Sequence, residues 1–350
     1  ILFCRRIWRM RLFSRLKKND FYERIRNGYA FLLSLTNFPK ISIIIPYPKG
    51  KEPVKMIHLR IPATSANLGA GFDALGLALS YYNYINMEES DGCHIRSLDS
   101  TEVPADESNL IYHTAKTVYN ICGKPFKGLT IEQTNNIPMA RGLGSSSACI
   151  IAGVAGANKL MGNPLSLDET VDLAAQIEGH PDNTAPALLG GIVTAVFDGK
   201  SVHWVKQEVF TTLKFIAVIP DFELKTEKAR ACLPKEISHS DAVYNLSRAA
   251  LFSASLLTGK YENLRTAVND RLHQPYRMEL IPHASDIFDI AYTNGAYAAY
   301  LSGAGPTLMT IVDSENKYFG GKMRFALDNM GLTGWEVREM HIDNQGTCEC

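Results

Sequence analysis

The chain has no net charge: 36 Lys and Arg stand against 36 Asp and Glu over 350 residues. It has no apolar run of membrane-spanning length. Runs such as 29–33 and 41–46 fall far short of the roughly 18 residues such a helix needs. Cysteine is sparse: seven residues are scattered along the chain, an odd number, with no Cys-x-x-Cys pair. That excludes a disulfide framework and a cysteine zinc site, and it favours a reducing, cytoplasmic setting. No Gly-Lys-Ser/Thr follows a glycine-rich loop, so the Walker phosphate loop is excluded. Internal repeats and low-complexity tracts are absent, which excludes solenoids and disordered arrays. What remains is 46% hydrophobic and 21% charged residues, the mix of an ordinary globular protein. At roughly 100–200 residues per domain, two domains are the default.

The neutral total hides an uneven distribution. Twelve of the basic residues fall in residues 1–54, against three acids. Three readings of this head compete. It is upstream sequence preceding a start at Met56, the favoured reading, or an Arg-rich targeting segment, or a basic arm. The remainder is acidic, so nucleic-acid binding by the main fold is not expected.

Met56 opens an alternating strand, Ile57, His58, Leu59, Arg60, Ile61. Residues 72–79 read as a buried apolar stretch, and 83–87, 94–98 and 129–133 as strands. Ser108 is the expected cap of a helix running to Ile121, on which Leu110, Ile111, Ala115 and Val118 recur at helical spacing. A helix is expected from the end of a Gly/Ser loop to about Met161, and another over 167–177 with Asp168 and Glu169 in its first turn. Strands are expected at 190–196 and 214–219. In the second half, helices are expected near 226–232, 241–257 and 285–293, with strands near 297–301 and 307–312. A boundary between the halves is placed in 200–212, giving divisions 1–55, 56–206 and 207–350.

The most specific local signal is the run Pro138, Met139, Ala140, Arg141, Gly142, Leu143, Gly144, Ser145, Ser146, Ser147, Ala148. Two glycines permit close backbone approach and positive φ. Three serines follow where a long apolar helix begins, so free N–H groups and the positive end of the helix dipole face the loop. That is an anion site, and a serine hydroxyl there can ligate Mg²⁺. Gly69, Gly71 and Ala74 mimic a dinucleotide fingerprint. The match is weak, because a polar loop rather than a strand precedes it.

Three further stretches matter in combination. They are Pro62 to Gly76 with Asn67 and Asp73, Glu178 to Gly191 with His180, Asp182 and Asn183, and the Gly-rich Leu301 to Thr307. Spread over about 250 residues in this order, they resemble the GHMP kinases, and most nearly the homoserine kinase branch. Thr226 to Pro234 with Arg230, and Gln274 to Pro282 with Arg277, match that branch too. The resemblance spans about 56–340. Departures are Ala70, the additional Ser147, and Thr184.

The resemblance implies a two-domain α+β kinase. An N-terminal ribosomal-protein-S5-like domain carries the nucleotide, and a ferredoxin-like layer forms the C-terminal half. It implies Mg-ATP-dependent phosphorylation of L-homoserine, on the route to threonine, and a homodimer. By resemblance, residues 138–148 bind ATP, and Ser146 or Ser145 together with Glu178 holds Mg²⁺. Asn67 and Asp73 receive the substrate ammonium, Arg230 and Arg277 grip its carboxylate, and His180 and Asn183 face the reactive end. Glu178, Asp182, Asn183 and Arg230 are the candidates for catalysis, with Asp182 expected not to be an essential base. Two alternatives remain: another GHMP kinase of the isoprenoid-precursor type, and a catalytically dead ligand sensor.

Overall fold

The computed structural model describes residues 56–209 and 212–350; the readings made for 1–55 lie outside them. The described residues fall in one compact unit.

The first strand, β1 (Ile57–Ala66), buries Ile57, Leu59 and Ile61 and exposes His58, then runs fully buried to its end. It pairs antiparallel with the long β2 (Leu75–Glu89), with a register shift between Pro62 and Ala63. Next come β3 (Gly92–Ser97), α1 (Leu110–Ile121) and β4 (Gly128–Thr134). Helix α1 is capped by Asn109, not by Ser108. The Asn109 side-chain oxygen Oδ1 accepts from the N–H groups of Ile111 and Tyr112 at 3.0 and 3.4 Å, whereas Ser108 donates its hydroxyl backwards to Asp106. Three helices follow: α2 (Ser145–Leu160), α3 (Leu167–Glu178) and α4 (Pro181–Leu189). Ser166 and Glu169 close a reciprocal capping box on α3. Then come β5 (Ile192–Phe197) and β6 (Val202–Gln207).

The second half contains β7 (Leu213–Ile219), α5 (Thr226–Ala231), α6 (His239–Thr258), α7 (Leu264–Ala267), α8 (Gln274–Met278) and α9 (Ala284–Thr293). After these come β8 (Ala298–Leu301), β9 (Leu308–Asp313), α10 (Phe319–Asn329), β10 (Glu336–Met340) and β11 (Cys348–Glu349). Two sheets result. One has the order β11-β1-β2-β4-β3, with β5 on β2 and β6 on β5; the other is β10-β7-β9-β8. All pairs are antiparallel except β3 with β4. This is the α+β architecture with two sheets that the resemblance implies.

The region read as a boundary, 200–212, is partly strand: β6 hydrogen-bonds to β5 and belongs to the first sheet. The tail also returns to that sheet, because Leu59 and Arg60 on β1 pair with Glu349 and Cys348. A hydrophobic run cannot reveal such a return, since β11 is two residues long.

Strand β7 is buried along its whole length. Its odd-numbered side chains, Leu213, Phe215, Ala217 and Ile219, join the core of the first sheet, together with Tyr300 and Met309. Ile216 and Val218 point the other way, onto Ile287 of α9 and Phe319 and Leu327 of α10. This is the two-residue alternation of a strand with both faces covered.

Candidate active site

Helix α2 starts at Gly144, whose φ is +72°, and has neither a side-chain cap nor an acid in its first turn. Its first N–H groups therefore lack a side-chain partner and carry the positive end of the helix dipole. A Cβ on Gly144 would lie 1.9 Å from the Thr64 hydroxyl oxygen, so the loop must pass this point as glycine. Backbone bonds from several motifs fix the loop. Thr64 N–H donates to Leu143 O at 3.1 Å, Leu224 N–H to Ala140 O at 3.0 Å, and Thr307 N–H to Arg141 O at 3.2 Å. The Ser302 hydroxyl donates to Gly142 O at 2.6 Å.

Glu178 ends α3 and turns its carboxylate onto this helix start, accepting from the Ser147 hydroxyl at 2.9 Å. Burial pushes the Glu178 carboxyl above its ordinary pKa, against the hydrogen bond from Ser147 and the nearby His180 and Arg230. Sequence reasoning pairs Ser146 with Glu178. The hydroxyl that touches the carboxylate is Ser147, because successive helix residues are turned about 100° apart. Ser147 is buried toward α3 and Ser146 is exposed; both line the cleft.

The far end of the cleft carries both signs. Asp73 and Arg230 form a two-pronged ion pair at 2.9 and 3.3 Å. Asn67 orients Asp73: its carbonyl oxygen accepts from the Asp73 N–H at 3.1 Å, and its amide donates to Gly303 O at 2.9 Å. Both ends of Asn67 are thus engaged in holding the loop. Asn67, Leu68 and Asp73 all have positive φ, a strained backbone that the surrounding bonds hold in place. Arg277 is almost wholly buried, yet it lines the same cleft. Burial, reinforced by Arg230, lowers its pKa from the ordinary arginine value.

His180 caps α4, with Pro181 as the first helical residue. Its Nδ1 lies 2.5 Å from Asp182 Oδ1. Burial disfavours the charged imidazole, but the Asp182 hydrogen bond and the carboxylates of Asp182, Asp73 and Glu178 outweigh it, and the His180 pKa is raised. Asn183 accepts from the Thr64 hydroxyl at 2.7 Å, which leaves the amide NH₂ as its other polar end.

The models for the GHMP kinase N-terminal domain and the GHMP kinase C-terminal domain match residues 109–191 and 252–317. A homoserine kinase of Clostridium beijerinckii is 47% identical over 293 residues, covering 83% of this chain and 97% of that protein. One from Caldicellulosiruptor bescii is 47% identical over 294 residues, covering 83% and 96%. The chain belongs to the homoserine kinase family. A crystal structure of homoserine kinase from Cytophaga hutchinsonii superposes with a TM-score of 0.77 at 30% identity, covering 87% of this chain and 99% of that one.

Against that family background, the cleft brings together most of the residues singled out in the sequence. Asn67, Asp73, Ala140, Arg141, Gly142, Gly144, Ser145, Ser146, Ser147, Glu178, His180, Asp182, Asn183, Arg230 and Arg277 all line it. Pro138, Met139, Leu143 and Ala148 do not; Leu143 and Ala148 are core residues, and Met139 is exposed. The Arg141 guanidinium is taken up by the carbonyls of Met139, Pro220 and Asp221, so it ties the loop to the end of β7. Leu224, Thr226 and the Gly303–Gly305 backbone line the cleft without having been named as site residues. Thr64 was also missed, although it lies inside the quoted Pro62 motif; its role shows through its bonds to Leu143 and Asn183 and its closeness to Gly144.

Proposed function

We propose that this chain transfers the γ-phosphoryl group of ATP to the side-chain hydroxyl of L-homoserine, giving O-phospho-L-homoserine and ADP. The observation that carries this reading is the pairing of an uncapped, serine-rich helix start with a two-signed pocket in one cleft. The first is suited to a triphosphate. The second is suited to a zwitterion: Asp73 offers a carboxylate to an ammonium, and Arg230 and Arg277 offer guanidinium forks to a carboxylate.

The residues also fit Mg²⁺. The candidate donors are all oxygens, the Glu178 carboxylate and the serine hydroxyls at the helix start, as a hard cation requires. Burial already disfavours the Glu178 charge, which a bound cation would compensate. Glu178 with Ser146 or Ser145 would hold the ion, which when bound offsets charge on the transferring phosphoryl group.

The helix N–H groups hold the phosphates, and the arginines and Asp73 fix the amino acid. The substrate hydroxyl oxygen then forms a bond to the γ-phosphorus as the bond to the β–γ bridging oxygen breaks. ADP leaves with that electron pair, and the hydroxyl proton passes by way of the transferred phosphoryl oxygens to water. Positioning supplies most of the acceleration. Asp182 is buried and bonded to His180, so its role is to orient that imidazole rather than to take the hydroxyl proton. Asp182→Asn is therefore expected to keep kcat within about tenfold of wild type, where a lost general base costs about 10²–10⁴. The acid limb of the pH–rate profile should survive. Loss of that limb together with a hundredfold fall would make Asp182 the base.

The functional reading is tested by ADP release from the full chain with Mg-ATP and a panel of alcohols. L-Homoserine should be turned over, and mevalonate, galactose, L-serine and L-threonine should not. Turnover of mevalonate or galactose in its place would overturn the assignment of Asp73, Arg230 and Arg277.

A further inference from the structure

Arg277 is held by neighbours on three sides. Its Nε donates to Ala229 O at 3.1 Å, and its Nη1 donates to Gly303 O at 3.1 Å and faces Nδ1 of His273 at 3.3 Å. His273 is completely buried. Its other ring nitrogen, Nε2, lies 2.8 Å from Gly69 O. A carbonyl oxygen only accepts, so the proton sits on Nε2 and the lone pair of Nδ1 faces the guanidinium. The imidazole also stacks on Phe72, with centroids 5.1 Å apart and planes 20° apart. The Arg230 and Arg277 guanidiniums lie 5.7 and 5.2 Å from the centre of the same Phe72 ring. One buried side chain thus joins the glycine loop of the first motif to an arginine of the second half.

The charged groups that face His273 come from three places. Asp270, just before α8, places Oδ2 3.7 Å from Nε2, but its carboxylate is already held by the N–H groups of Leu272, His273 and Gln274 and by the Asn245 amide. Arg277 lies on α8, and Asp73 lies in the β1–β2 loop. Burial dominates, with Arg277 acting in the same direction and Asp270 against it, so the imidazole pKa falls below its ordinary value.

We propose that His273 is a positioning residue. Its Nδ1 lone pair fixes the guanidinium of Arg277 toward the substrate carboxylate, and the preference for a carboxylate-bearing amino alcohol depends on it. The inference rests on the reading of the substrate as L-homoserine. Protonation of His273 would set an N–H against a guanidinium and release the arginine.

The test compares kcat/KM for L-homoserine with that for 3-aminopropan-1-ol, the same amino alcohol without its carboxylate. In wild type the preference for homoserine should be large. His273→Phe keeps the ring stack and removes both hydrogen bonds. It should lower the preference about tenfold or more through KM for homoserine, with KM for ATP within about twofold. His273→Asn places an oxygen near the Nδ1 position and should recover part of the preference. His273→Gln reaches the Nε2 position instead and should not. On the acid side, the wild-type preference should fall with pH, and in His273→Asn it should not. An unchanged preference in His273→Phe, or His273→Gln outperforming His273→Asn, overturns the proposal. Should His273→Phe not fold, the Asn-against-Gln comparison decides it. A wild type with no preference for the carboxylate would overturn the functional reading itself.

Discussion

Glu178→Gln should lower kcat by about two to three orders of magnitude and raise the melting temperature. The two effects have one cause. The carboxylate ends α3 with burial as the dominant influence on its charge, and a serine hydroxyl is its hydrogen-bond partner. Glutamine keeps an oxygen to accept from Ser147, so the packing survives and only the charge goes. That charge is what would hold a metal ion, and the ion would offset the negative charge of the transferring phosphoryl group. Its removal also relieves the protein. A carboxyl whose pKa is raised by folding binds its proton more tightly folded than unfolded, so it favours folding as pH falls toward that raised pKa and opposes folding above it. At neutral pH the glutamine variant escapes this opposition and should melt a few degrees higher. The Tm advantage should shrink as pH is lowered through the range in which wild-type Glu178 becomes protonated. Steady-state kinetics with a Mg²⁺ titration, and thermal melts at neutral and acid pH, check both halves. An active variant, or one that melts below wild type at neutral pH, would contradict this role for the carboxylate.

Gly142→Ala should damage both the fold and nucleotide binding, and Gly162→Ala supplies the control. Both glycines have left-handed backbones, φ +77° and +82°, so an alanine at either carries a penalty of roughly 1–2 kcal/mol. They differ in what the new methyl meets. At Gly162 there is nothing within 4 Å, whereas at Gly142 it would lie 2.4 Å from Ser302 O and 2.8 Å from Gly305 O. Those are backbone atoms of the β8–β9 loop, which also lines the cleft, and no side-chain rotation relieves the clash. Gly162→Ala should lose about 1 kcal/mol in urea denaturation and leave KM for ATP within about twofold. Gly142→Ala should lose about 3 kcal/mol or more and raise KM for ATP at least about tenfold. Equal losses at the two positions would mean that the loop-to-loop contact does not shape the nucleotide site.

The loops of the cleft were the most legible part of the sequence, because glycine, serine and charged residues cluster there for reasons that act locally. The helix after the Gly/Ser run, the strand β7 and the helix α3 with acids in its first turn follow from local pattern alone, whereas the Ser166 capping box on α3 was not read. What spacing could not show is pairing at a distance. Asp73 and Arg230 were assigned to opposite ends of the substrate, and the structure joins them to each other across 157 residues. Asn67 was read as a ligand to the ammonium, yet its amide holds Gly303 and the Asp73 N–H. The Ser108 cap failed because a neighbouring asparagine competed for the same N–H groups, and Asp106 took the serine hydroxyl. That Ser147 meets the Glu178 carboxylate while Ser146 faces outward turns on one 100° step around a helix. His273, one residue before the quoted Gln274–Pro282 stretch, gave no signal of its own: a lone histidine at a helix start is usually core, and only its two hydrogen bonds distinguish it.

The measurement that bears most directly on the central claim is phosphorus NMR of the product formed by the full chain from Mg-ATP and L-homoserine. Transfer to the hydroxyl, with the carboxylate gripped by Arg230 and Arg277, predicts a single hydrolytically stable phosphomonoester on the side-chain oxygen, formed one-for-one with ADP. A labile acyl phosphate on the carboxylate, or ADP accompanied only by inorganic phosphate, would contradict it.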